Sequence, residues 1–277
     1  MAHCKDITLA DLPPELPVIV ALATQRCCMP LYWHDRTLPW PKKVTGGSCF
    51  VLKFPERLVL VTAAHVFRAY EEAVRHTPTT VCQVRLLPLD LSSRLIQVDH
   101  DLDIVTFDIT AREMGTIGAT AIDAALQPPP LQGGRGPSFA GFPELLREVY
   151  SDGSAEFKLY GGLPAVDEFS PSTIRVSYDP ARDLPLMPGV PAPDPGFAMS
   201  GCSGGPVLLP DYTGGELHLF AVGLIVGGRR NIPGETDHTD IVEIRRINAI
   251  QPDGSIRRVR EDGTLDLPSI GWLPPRR

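Results

Sequence analysis

Short apolar runs alternate with turn-forming clusters along the whole chain, and no fixed-period repeat joins them. Val18 to Ala23 is a compact run of β-branched and aliphatic residues and predicts a first strand. Trp33 to Lys43 is rich in proline and charge and reads as a long loop. Gly46 to Leu52 and Leu58 to Thr62 flank the turn Phe54-Pro55-Glu56-Arg57, which predicts a hairpin. After Thr62 the period changes. Val66, Ala69, Tyr70 and Ala73 fall at helical spacing, so His65 to His76 reads as a helix. Thr80 to Leu87 and Ser93 to Val98 alternate again as strands. The acidic turn His100-Asp101-Leu102-Asp103 then enters the apolar run from Ile104 to Asp108.

Gln127 to Gly136, with three consecutive prolines and three glycines, is the clearest linker. Beyond it, Ser138 to Pro143 predicts a strand and turn, and Leu145 to Tyr150 a short helix or strand. Glu156 to Tyr160 and Ser172 to Tyr178 read as strands, and Asp183 to Gly196 as a proline-rich loop. Leu217 to Ile225 reads as a strand ending in Val226-Gly227-Gly228. Thr239 to Ile250 is the last strand, with a short helix as an alternative for part of it. The pattern divides the chain into an amino-terminal arm (1–16), a first unit (17–126), a linker (127–136), a second unit (137–252) and a polar tail (253–277). In that tail Ile270 to Leu273 is an apolar patch.

Composition sharpens this in four respects. The 277 residues hold 29 prolines and 25 glycines without periodicity, which favours many short elements and an all-β class. The net charge of −7 favours neither nucleic acid nor an anionic membrane as a partner. Residues 1–11 carry acids where a secretory signal needs a basic start, and the run Leu16 to Ala23 is too short to span a bilayer. The expected location is cytoplasmic. Six cysteines (Cys4, Cys27, Cys28, Cys49, Cys82 and Cys202) show no Cys-x-x-Cys spacing. They read as free, mostly buried thiols, and neither a metal nor another cofactor is expected.

The candidate chemistry lies in three places. Gly201-Cys202-Ser203-Gly204-Gly205-Pro206 sets a serine among glycines that permit a tight turn and close approach of backbone to a carbonyl. Thr62-Ala63-Ala64-His65 presents a histidine at a strand's end. Asp103 stands directly before an apolar strand, and Asp101, of the same parity, is its rival. His65 and Asp103 precede the linker, and Ser203 follows it.

Motifs in this order resemble those of the trypsin-like (chymotrypsin-fold) serine peptidases. The resemblance spans roughly residues 17 to 252 (by motif order), although the motifs themselves occupy little of that stretch. It implies two six-stranded antiparallel β-barrels with the active site in the cleft between them. It makes Ser203 the nucleophile, His65 the general base and Asp103 the carboxylate that orients His65. The N–H groups of Gly201 and Ser203 would form the oxyanion hole, and Val226, Gly227 and Gly228 would pair with the substrate backbone. Phe197, six residues before the nucleophile, stands where trypsin has an acid, so cleavage after Lys or Arg is not expected. Cys202 replaces the aspartate that traps a newly cut amino terminus, so trimming is not expected to be needed. Val66 and Met199 replace two cysteines of the secreted animal members, consistent with an intracellular or bacterial-type protein without their disulfides. The implied partner is a protein or peptide substrate. A dedicated activator or regulatory partner is also expected, because a broad peptidase in the cytoplasm would harm its own cell. The alternative is a catalytically silent, protease-like scaffold that binds a partner without turnover.

Overall fold

A computed structural model describes residues 16–124, 128–130, 136–178, 199–213, 216–229 and 240–258. The arm up to residue 15, most of the linker, the proline-rich loop with Phe197, and the tail beyond Arg258 lie outside the described residues.

The first half holds β1 (Met29–Asp35), β2 (Thr45–Lys53), β3 (Leu58–Thr62), β4 (Thr80–Val84), β5 (Leu87–Pro88), β6 (Leu95–Asp99), β7 (Ile104–Ile109) and β8 (Ile122–Asp123). They form one sheet in the order β5-β4-β1-β2-β3-β7-β6, with β8 paired to β2. The second half holds β9 (Ser138–Gly141), β10 (Arg147–Val149), β11 (Ala155–Phe157), β12 (Tyr160–Gly162), β13 (Ala165–Phe169), β14 (Thr173–Tyr178), β15 (Pro206–Thr213), β16 (Glu216–Arg229) and β17 (Asp240–Arg246). Its main sheet runs β12-β9-β15-β16-β17-β14-β13, beside the separate hairpin β10-β11. Pairing is antiparallel throughout except between β8 and β2. The described chain is thus mostly β, with helices α1 (Leu16–Cys27), α2 (Ala64–His76), α3 (Leu91–Arg94) and α4 (Ala111–Ile117) at strand ends.

The hairpin β2-β3 and helix α2 form where the pattern predicts them. Val18 to Ala23 does not form a strand; it lies within α1. Val20, Thr24 and Cys27, at helical spacing, are buried, while Val18, Ile19 and Leu22 are about half exposed. No turn residue interrupts the chain from Val18 to Cys27, so the helix propagates past strand length, and Pro17 is harmless in the first turn. The Thr24 hydroxyl donates to the Val20 carbonyl (2.8 Å) and lies 2.8 Å from the Ser138 hydroxyl of β9. This joins α1 to the second sheet. The loop expected from Trp33 starts later, because β1 extends to Asp35 through its pairing with β4. The strand expected from Ser93 begins only at Leu95, because Asp90 caps a turn of helix over Leu91–Arg94. Helix α4 has a sequence signal that periodicity alone does not reveal. Thr110 and Glu113 form a reciprocal capping box, and Gly118 ends the helix in the left-handed conformation.

Two main cores result. The first gathers Phe50, Leu52, Leu60, Phe67 and Phe107, and it also takes in Leu208, Leu224, Ile250 and Ile256 from the second half. The second gathers Phe139, Val176, Val207, Ile225 and Ile244. Because the first core draws on both halves, apolar packing fixes the second sheet against the first. Among the described residues no helix is long and apolar enough to cross a membrane.

Candidate active site

His65 is the second residue of α2, which follows β3 through the single residue Ala63. Strand β3 pairs with β7 so that Thr62 faces Val105. Continuing that register past the strand ends brings Ala64 opposite Asp103, and the Ala64 N–H donates to the Asp103 carbonyl at 3.2 Å. The Asp103 carboxylate then accepts twice from His65. The backbone N–H donates to Oδ1 at 2.8 Å, and ring Nδ1 lies 2.6 Å from Oδ2. Ala63, the residue at the helix's N-cap position, offers no side-chain bond, so Asp103 supplies the anion that the helix start favours. A carboxylate at Nδ1 favours the tautomer that leaves the Nε2 lone pair free to accept a proton.

Asp101 does not share this place. The turn is built on Asp99, whose Oδ1 accepts from the N–H groups of Asp101 (3.0 Å) and Leu102 (2.9 Å). Asp103 adopts a positive φ of 56°, which breaks the alternation that made the two acids look equivalent. Asp101 is 75% exposed and binds Arg258, whereas Asp103 is 23% exposed and faces His65.

The Ser203 turn is fastened from several sides. The Gly204 N–H donates to the Ile225 carbonyl (2.7 Å), and the Ile225 N–H donates back to the Gly205 carbonyl (2.9 Å). Gly201 and Gly204 both have positive φ, 94° and 86°, and a Cβ on Gly204 would stand 2.1 Å from the Ser48 carbonyl oxygen. Only glycine fits there. Ser48 of β2, which the motif reading missed, is the buried hub of the junction between the sheets. Its N–H donates to the Ser203 carbonyl (2.8 Å) and its hydroxyl to the Gly201 carbonyl (2.8 Å), while the Phe142 N–H donates to that hydroxyl (2.8 Å). The signal available in the sequence was Gly46-Gly47: the missing side chain of Gly47 lets β2 approach the turn, and that of Gly46 lets it approach β1.

The histidine and serine segments meet across Gly47. A Cβ there would lie 2.9 Å from both Val66 methyl carbons and 3.0 Å from the Ser203 carbonyl oxygen. Among the described residues, the Ser203 hydroxyl makes no hydrogen bond to His65. The N–H groups of Gly201 and Ser203 likewise have no acceptor among the described residues. Cys202 turns the other way. Its side chain is fully buried in the second core, and burial pushes its thiol pKa far up, which suppresses the nucleophilic thiolate. The five described cysteines are free and buried.

Val226, Gly227 and Gly228 lie in β16 beyond the end of its pairing with β15, which starts at Pro206 opposite Leu224. Gly227 and Gly228 keep β17 on one side, Val226 is the bulged residue between Ile225 and Gly227, and among the described residues no strand pairs with their other edge. A Cβ on Gly228 would stand 3.2 Å from the Met199 sulfur, and one on Gly227 would stand 3.5 Å from Glu243 Oε2. Phe197 lies outside the described residues.

No family model matches this chain, and no curated protein matches it. Among the solved structures similar to it are the following two. One, from work on aromatic interactions that drive the coupled folding and binding of the intrinsically disordered Sesbania mosaic virus VPg protein, has a TM-score of 0.42 and 13% identity. That match covers 81% of this chain and 87% of the other. The second is a thermostable serine protease, AL20, from an extremophilic microorganism, with a TM-score of 0.40 and 12% identity. It covers 82% of this chain and 92% of the other.

Proposed function

We propose that this chain is a serine endopeptidase that hydrolyses peptide bonds through an acyl-enzyme intermediate. The observation that carries the reading is the two-point grip of Asp103 on His65, beside a glycine-built turn that presents Ser203. In this reading Ser203 Oγ attacks the scissile carbonyl while His65 Nε2 takes its proton. The resulting imidazolium stays paired with Asp103 and then protonates the leaving amine. Water, deprotonated by the same nitrogen, attacks the acyl-enzyme and frees Ser203. The N–H groups of Gly201 and Ser203 hold the oxyanion. Removal of one such donor typically costs about 3–4 kcal/mol of transition-state stabilisation. The edge at Val226, Gly227 and Gly228, which no described strand pairs, receives the substrate backbone as an added strand.

The same proposal extends to architecture and setting. Six of the strands in each half close into a β-barrel of the chymotrypsin type, with 17–126 and 137–252 as the two units. The protein works in the cytoplasm on a protein or peptide substrate, under a dedicated activator or regulatory partner, and prefers small or apolar side chains over Lys and Arg. With Cys202 buried, no cut amino terminus is needed to shape the oxyanion hole, and untrimmed protein is active.

A fluorophosphonate probe tests the reading. Full-length protein is expected to label covalently at Ser203, and Ser203→Ala to lose the label. The lack of a hydrogen bond between Ser203 and His65 is what favours the silent-scaffold alternative. Folded protein that fails to label under any condition would decide for that alternative.

A further inference from the structure

After β17 the chain makes a 3-10 turn (Ile247–Ala249) and returns to the first sheet as a strap, Gln251 to Arg258. The strap is clasped at several points. The Gly254 carbonyl accepts from the buried Thr106 hydroxyl (2.7 Å), and the Asp253 carbonyl accepts from Arg57 (2.5 Å). The Gln97 side chain holds Ile256 twice, accepting from its N–H (2.8 Å) and donating to its carbonyl (3.2 Å). These contacts deliver Arg258 to the turn before Asp103. Its Nε lies 3.2 Å from Asp99 Oδ2, and its Nη2 lies 2.5 Å from Asp101 Oδ2.

We infer that Arg258 is a positioning residue of the candidate site, closing over the Asp99–Asp103 turn so that Asp103 keeps its two-point grip on His65. The inference rests on the reading of His65 and Asp103 as the base and its orienting carboxylate. Three features carry it. Asp103 sits at a positive φ, which even Asp adopts infrequently, so its placement depends on the geometry of the turn that precedes it. Asp99, which organises that turn through two backbone N–H groups, is only 10% exposed and faces Arg258. The strap also emerges from β17, which pairs with β16, and β16 carries the bonds that fasten the Ser203 turn. A single segment therefore spans from the sheet that bears the nucleophile to the turn that bears the orienting acid. Arg258 itself is about half exposed, so its contribution lies in geometry more than in global stability.

The test compares full-length wild type, Arg258→Ala and Arg258→Lys. It follows solvent exchange of the His65 Nδ1 proton by NMR and the rate of fluorophosphonate labelling. Arg258→Ala is expected to speed exchange by about tenfold, as local opening becomes easier. Labelling slows by a similar factor, the melting temperature holds, and Arg258→Lys restores most of both. Wild type in about 1 M salt, which screens the half-exposed pair, is expected to reproduce the faster exchange and serves in place of Arg258→Ala if that variant does not fold. Exchange that does not change in either condition overturns the inference. If wild type labels but exchange does not respond, the peptidase reading stands without this inference. If wild type never labels but exchange responds, Arg258 positions Asp103 in a silent site and the peptidase reading falls.

Discussion

The Asp103 carboxylate and His65 are joined at two points, through the backbone N–H at 2.8 Å and the ring Nδ1 at 2.6 Å. One acid therefore anchors both the start of a helix and the orientation of the ring that the helix presents. Capping fixes where the histidine's backbone begins, and the second oxygen fixes which way its ring faces. In a peptidase both bear on where a general base sits, the first thing required of it.

This division between Asp103 and Asp101 is open to a direct measurement. Asp103→Asn is expected to lower turnover by about 10⁴-fold, the size seen when a triad aspartate loses its charge. Asp101→Asn keeps both Asp103–His65 partners and weakens only its exposed pair with Arg258, so it is expected to cost at most the roughly tenfold assigned to Arg258, a far smaller change. Steady-state rates on a peptide ester decide between them. Equal losses would return the orienting role to Asp101.

Gly47 separates the histidine segment from the serine turn by less than a methyl group. A Cβ there meets the Val66 methyl carbons at 2.9 Å and the Ser203 carbonyl oxygen at 3.0 Å. Gly47→Ala is expected to keep the fold but displace the nucleophile, with about a 10²-fold loss of turnover. Val66→Ala in the same chain makes room on one side, so the double variant is expected to recover part of that loss. Wild-type rates in Gly47→Ala would show that the segments are not coupled there.

The buried cysteines predict alkaline instability. Burial pushes the Cys27 thiol from the ordinary 9.0 to about 11, and raises those of Cys28, Cys49, Cys82 and Cys202 as well. The unfolded chain ionises at the ordinary value while the folded chain stays neutral. This contribution to stability is therefore fully present below pH 9.0 and is lost as pH rises from there through the folded-state values. Each thiol steepens the loss by up to about 1.4 kcal/mol per pH unit. Denaturant titrations from about pH 7 to 11 check the effect, and Cys202→Ala, which removes one buried thiol, is expected to make the fall shallower. The same variant should still label with the fluorophosphonate probe, because the thiol lies in the core. A flat stability profile across this range would contradict the burial of these groups.

Much of the site was legible locally. The switch from strand to helical period after Thr62 located α2 and put His65 at its start. The glycine cluster marked a strained turn at Ser203, and a change from polar to apolar residues put Asp103 at the head of β7. The order of these three segments suggested one family of chemistry.

Other features depended on contacts between distant residues. Val18 to Ala23 has β-branched character that suits a strand. It folds as part of a helix because the whole segment to Cys27 lies against β9 and β15, with Val20, Thr24 and Cys27 turned inward. Parity left Asp101 and Asp103 tied, and a positive φ at Asp103, held in a turn organised by Asp99, separated them. Ser48 and Arg258 carried no motif at all. One joins the sheets beneath the Ser203 turn, and the other reaches the Asp103 turn from the far end of the second half. What the sequence alone determined was each segment's type and its candidate chemistry, because local period and turn residues act over a few neighbours. Which acid faces His65, and what holds the two segments together, only the tertiary structure decided. Those bonds join residues far apart in the chain, and a hydrogen bond depends on distance and direction in space, not on sequence pattern.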